Sequence, residues 1–156
     1  MIQIKTILAP TDFSAHSETA LRYACMLAER LDAKLHLLHV LAEITPTGPD
    51  PLLAPSLPPE YYLDAEAASL DALKKLPEPA WGKVEVADYA LKWGDPVTEI
   101  VGYARDNMSD LIVIATHGWT GLRHVLLGSV AEQIVREASC PVLTIHDRTA
   151  GPASHT

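Results

Sequence analysis

The stretch Leu111-Ile112-Val113-Ile114-Ala115-Thr116-His117-Gly118-Trp119-Thr120-Gly121, followed by Leu122 to Leu127 and then Gly128-Ser129-Val130-Ala131, carries the first decision about the fold. Leu111 to Ala115 is continuously apolar and β-branched in its middle, which suits a strand buried on both faces of a parallel sheet. The polar and glycine-rich run behind it is a loop. Val130, Ala131, Ile134, Val135 and Ala138 then recur at helical spacing. A buried strand, a loop and an amphipathic helix make one half of a βαβ unit.

Working outward, the same alternation repeats. Ile2 to Ala9 reads as a strand stopped by Pro10, and Ala20, Leu21, Ala24, Cys25, Ala28 and Leu31 form a helical stripe. Ser14 or Ser17 is placed to cap that helix, because a short side-chain oxygen satisfies its free N–H groups. Leu35 to Leu41 is a second apolar run. A third helix-type stripe, Leu63, Ala67, Leu70 and Leu73, ends at Pro77 and Pro79, and Val84 to Leu91 reads as the third strand. Asp95-Pro96 is a helix start, with Asp as cap and Pro in the first turn, followed by Val97, Ile100, Val101 and Ala104. Pro141 to Ile145 supplies a fifth strand. The pattern β-α-β-α-β-α-β-α-β predicts an α/β fold, a five-stranded parallel sheet with helices on both faces. Right-handed crossovers fix most of the topology, and the expected strand order is 3-2-1-4-5. Ligands in such sheets bind beyond the carboxyl ends of the strands, where the strand order reverses. The loops after the first and fourth strands are therefore the ones that count.

The chain has 156 residues, one domain's worth, with 48% hydrophobic residues. Its net charge of −8 argues against duplex nucleic-acid binding, which needs a basic face. Two cysteines, Cys25 and Cys140, rule out a disulfide-dense scaffold. No apolar run approaches the roughly 18 residues of a membrane span, and Met1 to Lys5 lacks the apolar core of a signal peptide. The expectation is a cytoplasmic protein with no membrane or nucleic-acid partner.

The acidity is unevenly placed. Residues 35–73 hold six of the 20 acids, none of the 12 basic residues and half of the 12 prolines; outside them, 14 acids face 12 bases. The proline-rich stretch 43–59 cannot be helix or central strand. It is long for a loop in a compact domain, and it reads as a mobile acidic flap or a surface for a protein partner. Residues 1–147 are the expected domain and 148–156 a polar tail.

Three of the eight glycines fall within the eleven residues from Gly118 to Gly128. Glycine lets backbone N–H groups approach a ligand closely, and Gly128-Ser129 adds the positive end of a helix, a ready anion site. A hydroxyl at Ser129 can bond a phosphate or a metal ion. The same glycines are equally explained as turn formers. There is no G-x-x-x-x-G-K-[ST] and no G-x-G-x-x-G, so the P-loop and dinucleotide motifs are excluded. His36 and His39 point to opposite faces of one strand, so they cannot share a metal ion without a bulge. Cys25 belongs to an apolar stripe, and Cys140 has no partner at C-x-x-C spacing. No G-x-S-x-G elbow accompanies Ser14, Asp12 and His117, which excludes that hydrolase arrangement.

The segments Ile7-Leu8-Ala9-Pro10-Thr11-Asp12-Phe13-Ser14, Leu37-Leu38-His39-Val40, His117-Gly118, Leu127-Gly128-Ser129-Val130-Ala131-Glu132 and Cys140-Pro141-Val142-Leu143 resemble the universal stress protein family. The likeness covers roughly residues 1–147 apart from the proline-rich stretch. It implies a homodimer joined through the last strand, Pro141 to His146. Its nucleotide-binding branch carries G-x2-G-x9-G-[ST] and binds ATP, with Mg²⁺. Gly118, nine residues and Gly128-Ser129 match the second and third elements, whereas Ala115 replaces the first glycine. Trp119 stands where the family often has a basic residue, so a phosphate cation is missing there; Arg123 or Mg²⁺ is left to supply the charge. The resemblance implies a nucleotide site of Pro10, Thr11, Asp12, Val40, Ala115, His117, Gly118, Trp119, Gly121, Gly128, Ser129, Val130 and Ala131. In it Asp12 meets the ribose, Val40 meets adenine through its backbone, and segments 115–121 and 128–131 cradle the phosphates. No protein-only metal site and no catalytic residue is expected. The functional expectation is an ATP-dependent stress-response switch or adaptor. The alternatives are a nucleotide-independent dimer that presents residues 43–59 to a partner, and a slow ATPase using His117.

Overall fold

In the computed structural model the described residues are 1–42, 57–117 and 129–146. The proline-rich residues 43–56, the loop residues 118–128 and the tail from 147 onward lie outside them. The expectations for a flap, for Gly118, Trp119, Gly121, Arg123 and Gly128, and for a polar tail fall there.

Five strands form one parallel sheet: β1 (Thr6–Pro10), β2 (Lys34–Leu41), β3 (Val86–Trp93), β4 (Leu111–Ala115) and β5 (Val142–Ile145). Their order is β3-β2-β1-β4-β5, the order expected from the sequence. Four helices connect them: α1 (Ala15–Leu31), α2 (Pro59–Lys74), α3 (Pro96–Asp106) and α4 (Ser129–Glu137). One apolar cluster joins Leu21, Ala24, Cys25 and Ala28 of α1 and Leu73 of α2 to Ile7, Leu35, Leu37 and Val113. The other joins Val97, Ile100, Tyr103 and Ala104 of α3 and Ala131 and Ile134 of α4 to Leu8, Leu38, Ile112 and Ile114. Alternate residues of each strand thus feed opposite faces, and both faces are covered. No helix of the described residues is long and apolar enough to cross a membrane.

Two caps act as read. Ser14 accepts the Ser17 N–H at the start of α1, and Asp95 accepts the Thr98 N–H at the start of α3 with Pro96 in the first turn. Several boundaries differ. The first strand starts at Thr6, where the Asp110 carboxylate accepts the Lys5 and Thr6 N–H groups at 2.8 and 2.9 Å, and Ile2 is exposed. Pro10 does not stop this strand but closes it. Thr11 N–H points to Leu38 O, so Pro10 turns its nitrogen toward β4, whose pairing with β1 ends at Leu8↔Ile112. Pro59, read as non-helical, is the first residue of α2, where a missing N–H is harmless. Leu63 and Ala67 do not form a buried stripe with Leu73; both are exposed. On α4, Ala131 and Ile134 are buried but Val130 and Val135 are exposed, so its apolar face is narrower than its sequence. The third strand runs from Val86 to Trp93, two residues later than expected, because its pairing follows β2 out to Leu41↔Trp93.

Candidate functional site

The strand order reverses between β1 and β4, and the residues that leave the carboxyl ends of these strands gather there. The turn from β1 into α1 is tightly built. Thr11 is buried; its Oγ1 lies 3.0 Å from Ser17 Oγ and accepts the Phe13 N–H at 3.0 Å. Its carbonyl accepts from His39 Nδ1 at 2.8 Å, which fixes the proton of that ring on Nδ1. Phe13 is held at φ 62, a left-handed conformation that is costly for a bulky residue, and its ring lies 4.5 Å from that of His39. The backbone is over-determined at this place, and the result is the presentation of Asp12. One Asp12 carboxylate oxygen accepts the Ser14 N–H at 2.9 Å and the Ser14 hydroxyl proton. Asp12 is half-buried at the mouth of the reversal.

Val40 contributes backbone. Thr11 N–H reaches Leu38 O, whereas Leu35 N–H and Leu41 O pair toward the β3 side. Polar groups along a parallel strand alternate sides. Val40, two residues past Leu38, therefore turns its N–H and C=O toward β1 just beyond that strand's last paired residue, Pro10.

From β4, Ala115 is buried and paired with Ile145, and Thr116 N–H continues to Ile145 O at 3.0 Å. His117 leaves the sheet half-buried. Ser129, the first residue of α4, and Val130 are exposed, and Ala131 is buried against the sheet. The fold thus brings Pro10, Thr11, Asp12, Val40, Ala115 and His117 to the carboxyl ends of neighbouring strands. Thr11 supports the turn from inside rather than facing outward. Among the described residues no three His, Cys, Asp or Glu groups are arranged to hold a metal ion.

Two clusters escaped sequence reasoning. His117, His16 of α1 and His146 beyond β5 come together, with ring centroids 6.2 Å apart for His16–His117 and 5.8 Å for His117–His146. Only the relative placement of α1, β4 and β5 could reveal this. On the α3 face, the Tyr103 hydroxyl donates to Asp88 and lies 2.9 Å from His36 Nδ1, so that nitrogen must donate to the hydroxyl oxygen. Burial raises the Tyr103 phenol well above its usual range, assisted by the Asp88 carboxylate, and lowers the His36 imidazole. The network borders an open groove of about 570 Å³ lined by Asp88, Lys92, Thr98, Gly102, Tyr103 and Arg105. His36 and His39 indeed face opposite sides of the sheet and serve different partners. Cys25 is fully buried, and burial pushes its thiol up to about 11, consistent with a packing role.

Fold and candidate site together define an open parallel α/β protein whose strand order reverses between β1 and β4. The chain matches the universal stress protein family over residues 3–146 and belongs to that family. It is 37% identical over 142 residues to universal stress protein MJ0531 of Methanocaldococcus jannaschii, covering 90% of this chain and 81% of that one. Universal stress protein UspA from Lactobacillus plantarum superposes with a TM-score of 0.75 at 27% identity, over 93% of this chain and 99% of the other. A universal stress protein from Archaeoglobus fulgidus, solved in complex with dAMP, superposes with a TM-score of 0.60 at 24% identity, over 93% of this chain and 99% of its own; that likeness speaks to the fold alone.

Proposed function

We propose that this chain binds an adenine nucleotide, ATP with Mg²⁺, and acts as a nucleotide-dependent switch or adaptor in a stress response. The observation that carries the reading is the convergence of three different chemistries at one sheet end: the Asp12 carboxylate, the Val40 backbone edge, and the β4 exit at Ala115–His117. A carboxylate accepts from ribose hydroxyls. An outward N–H and C=O pair reads the donor and acceptor edge of adenine. Free N–H groups of the first turn of α4, at Ser129, Val130 and Ala131, suit phosphate, and the Ser129 hydroxyl suits Mg²⁺. Gly118, Trp119, Gly121 and Gly128, which lie in the sequence between Ala115 and Ser129, belong to the same proposed site. A universal stress protein of the same fold was solved with dAMP, and we carry an adenine nucleotide over to this chain. A ligand shifts a population only through different affinity for two states, so the switch is a nucleotide-dependent arrangement of residues 116–128. Mass spectrometry of acid-extracted protein and calorimetry with Mg-ATP test it. The expected result is a co-purifying adenine nucleotide or a saturable binding isotherm; a nucleotide-free preparation with a flat titration overturns it.

The homodimer belongs to the same reading. β5 is an edge strand, and Leu143 on it and Val135 on α4 are exposed apolar residues, 37% and 47% accessible. An open edge strand invites pairing with another chain. Light scattering is expected to give a dimer mass that Leu143→Lys reduces to the monomer; a monomeric parent protein refutes the interface.

A further inference from the structure

β3 is the edge strand opposite β5, and among the described residues nothing pairs with its outer side. Its register with β2 is regular from His36↔Asp88 to Leu41↔Trp93, and Gly94 N–H reaches Leu41 O. Alternate residues back along the strand, Lys92, Ala90 and Asp88, therefore turn their polar backbone groups to β2, and Leu91 and Tyr89 turn theirs outward. Side chains alternate as well. Ala90 packs with the α3 cluster, and Asp88 and Lys92 on the same face line the open groove beside α3. Tyr89 and Leu91 pack on the side of α1 and α2. Among the described residues neither Asp88 nor Lys92 has an ion-pair partner in its own chain, and Lys92 is exposed. Above the same edge α2 carries an apolar stripe that the sheet does not cover. Leu63 is 64% accessible and Ala67 is exposed, while Tyr62 and Glu66 tie the helix to Trp93 of β3.

We propose that the β3 edge is a self-recognition surface for a second copy of this chain, paired antiparallel about a twofold axis through Ala90. The run Asp88-Tyr89-Ala90-Leu91-Lys92 is self-complementary in that register. A twofold axis brings residue i against j and j against i. Asp88 then faces the partner's Lys92, and Lys92 faces the partner's Asp88, as opposite-charge pairs in the groove on the α3 face. Tyr89 meets the partner's Leu91 and Leu91 the partner's Tyr89. Their outward backbone groups exchange both N–H···O bonds of a hydrogen-bonded pair. Ala90 meets its own copy in the close, non-hydrogen-bonded position, about 4.5 Å between Cα atoms, where a methyl fits. An axis normal to the sheet keeps both α2 helices on one face. α2 lies over β2 and β3, so the two helices stand about two strand spacings apart, roughly 10 Å, which is a helix-packing distance. The uncovered Leu63 and Ala67 are buried between them. One strand pair with one helix pair is a small contact beside the roughly 1,200–2,000 Å² of a stable interface. The association is therefore weak and concentration-dependent, above the dilute range in which the β5 contact is measured, and it is independent of the nucleotide reading.

The test is sedimentation and amide hydrogen exchange of the full chain carrying Leu143→Lys, which removes the β5 contact, at low and at high protein concentration. Association that grows with concentration is expected. The Tyr89 and Leu91 amides should slow severalfold with it, while those of Ala90 and Lys92, which face β2, stay as they were. Lys92→Glu turns both cross-chain attractions into repulsions and should lower the association constant about tenfold in the same background. Lys92→Arg should keep it. A protein that stays monomeric at every concentration overturns the surface. So does association that leaves the Tyr89 and Leu91 amides unprotected, because the contact then lies elsewhere. A folded Lys92→Glu variant that associates as its parent does overturns the register. Should either variant not fold, the concentration dependence of the Tyr89 and Leu91 amides in the parent protein decides.

Discussion

α1 and α2 are almost equally long, 17 and 16 residues, and both contribute to the same face of the sheet, yet they are held very differently. α1 buries six residues and begins with a side-chain cap at Ser14. α2 buries only Leu73, has no side-chain cap, and leaves Tyr61, Tyr62 and Leu63 exposed. Lateral position explains the contrast. α1 lies over β1 and β4 at the centre of the sheet, where two neighbouring strands extend the apolar floor. α2 lies over β2 and the edge strand β3, and only its final turn reaches the shared core. The helix that meets the candidate site is thus the firmly anchored one, which suits a site whose turn must hold Phe13 at positive φ.

The largest test of this contrast is truncation. Leu21→Ala and Leu73→Ala should each cost about 3 kcal/mol in chemical denaturation, as fully buried leucines do, whereas Leu63→Ala should cost less than about 0.5 kcal/mol. An inexpensive Leu73→Ala would mean that α2 is not docked even at its last turn. Next in size is the cap: Ser14→Ala should cost about 1 kcal/mol and also remove the hydroxyl proton that Asp12 accepts, leaving the backbone N–H to hold that carboxylate, so weaker nucleotide binding is expected in the same variant. The outer fastening of α2 is smaller still. Trp93 Nε1 donates to Glu66 at 2.6 Å, and Trp93 stacks edge-on to Tyr62. Glu66→Ala should cost below about 1 kcal/mol and be seen first as faster amide exchange in α2, with α1 unchanged. Equal loosening of both helices would erase the distinction.

The finest test uses β2, the strand both helices share, whose His36 faces the other side. Burial depresses its folded-state value below the ordinary 6.5, against the opposing pull of Asp88. In that window the unfolded chain binds the proton more readily, so the stability contributed by neutral His36 is complete above 6.5 and is lost as pH falls through the depressed value. His36→Gln should make the acid side of the stability curve shallower, measured by denaturation midpoints across that range. An unchanged slope would locate the acid sensitivity elsewhere.

Much of this was written locally. The Ser14 and Asp95 caps and the buried stripe of α1 follow from neighbouring residues, because capping and helical period act within one or two turns. Asp12 and Val40 were expected at the candidate site through the family resemblance, and the strand pairing places both at the carboxyl ends of neighbouring strands. The stripe of α2 misled, since Leu63 and Ala67 have the right spacing but overhang the sheet edge. Thr11 carries a hydroxyl suited to a ligand, yet the fold turns it inward onto Ser17. Nothing in the sequence signalled Phe13 in a left-handed conformation. The same holds for the chain from His36 through Tyr103 to Asp88, whose members lie on three separate elements.

By itself the sequence determined the alternation of strands and helices and the parallel sheet that follows from it, because periodicity is a property of consecutive segments. The tertiary structure decided which of those segments lie at the centre and which at the edge, and so which apolar residues are buried. It also decided that His16, His117 and His146 meet. Their contact depends on the lateral order of β1, β4 and β5 and on the packing of α1 across them, and that information resides in no stretch of chain shorter than the fold.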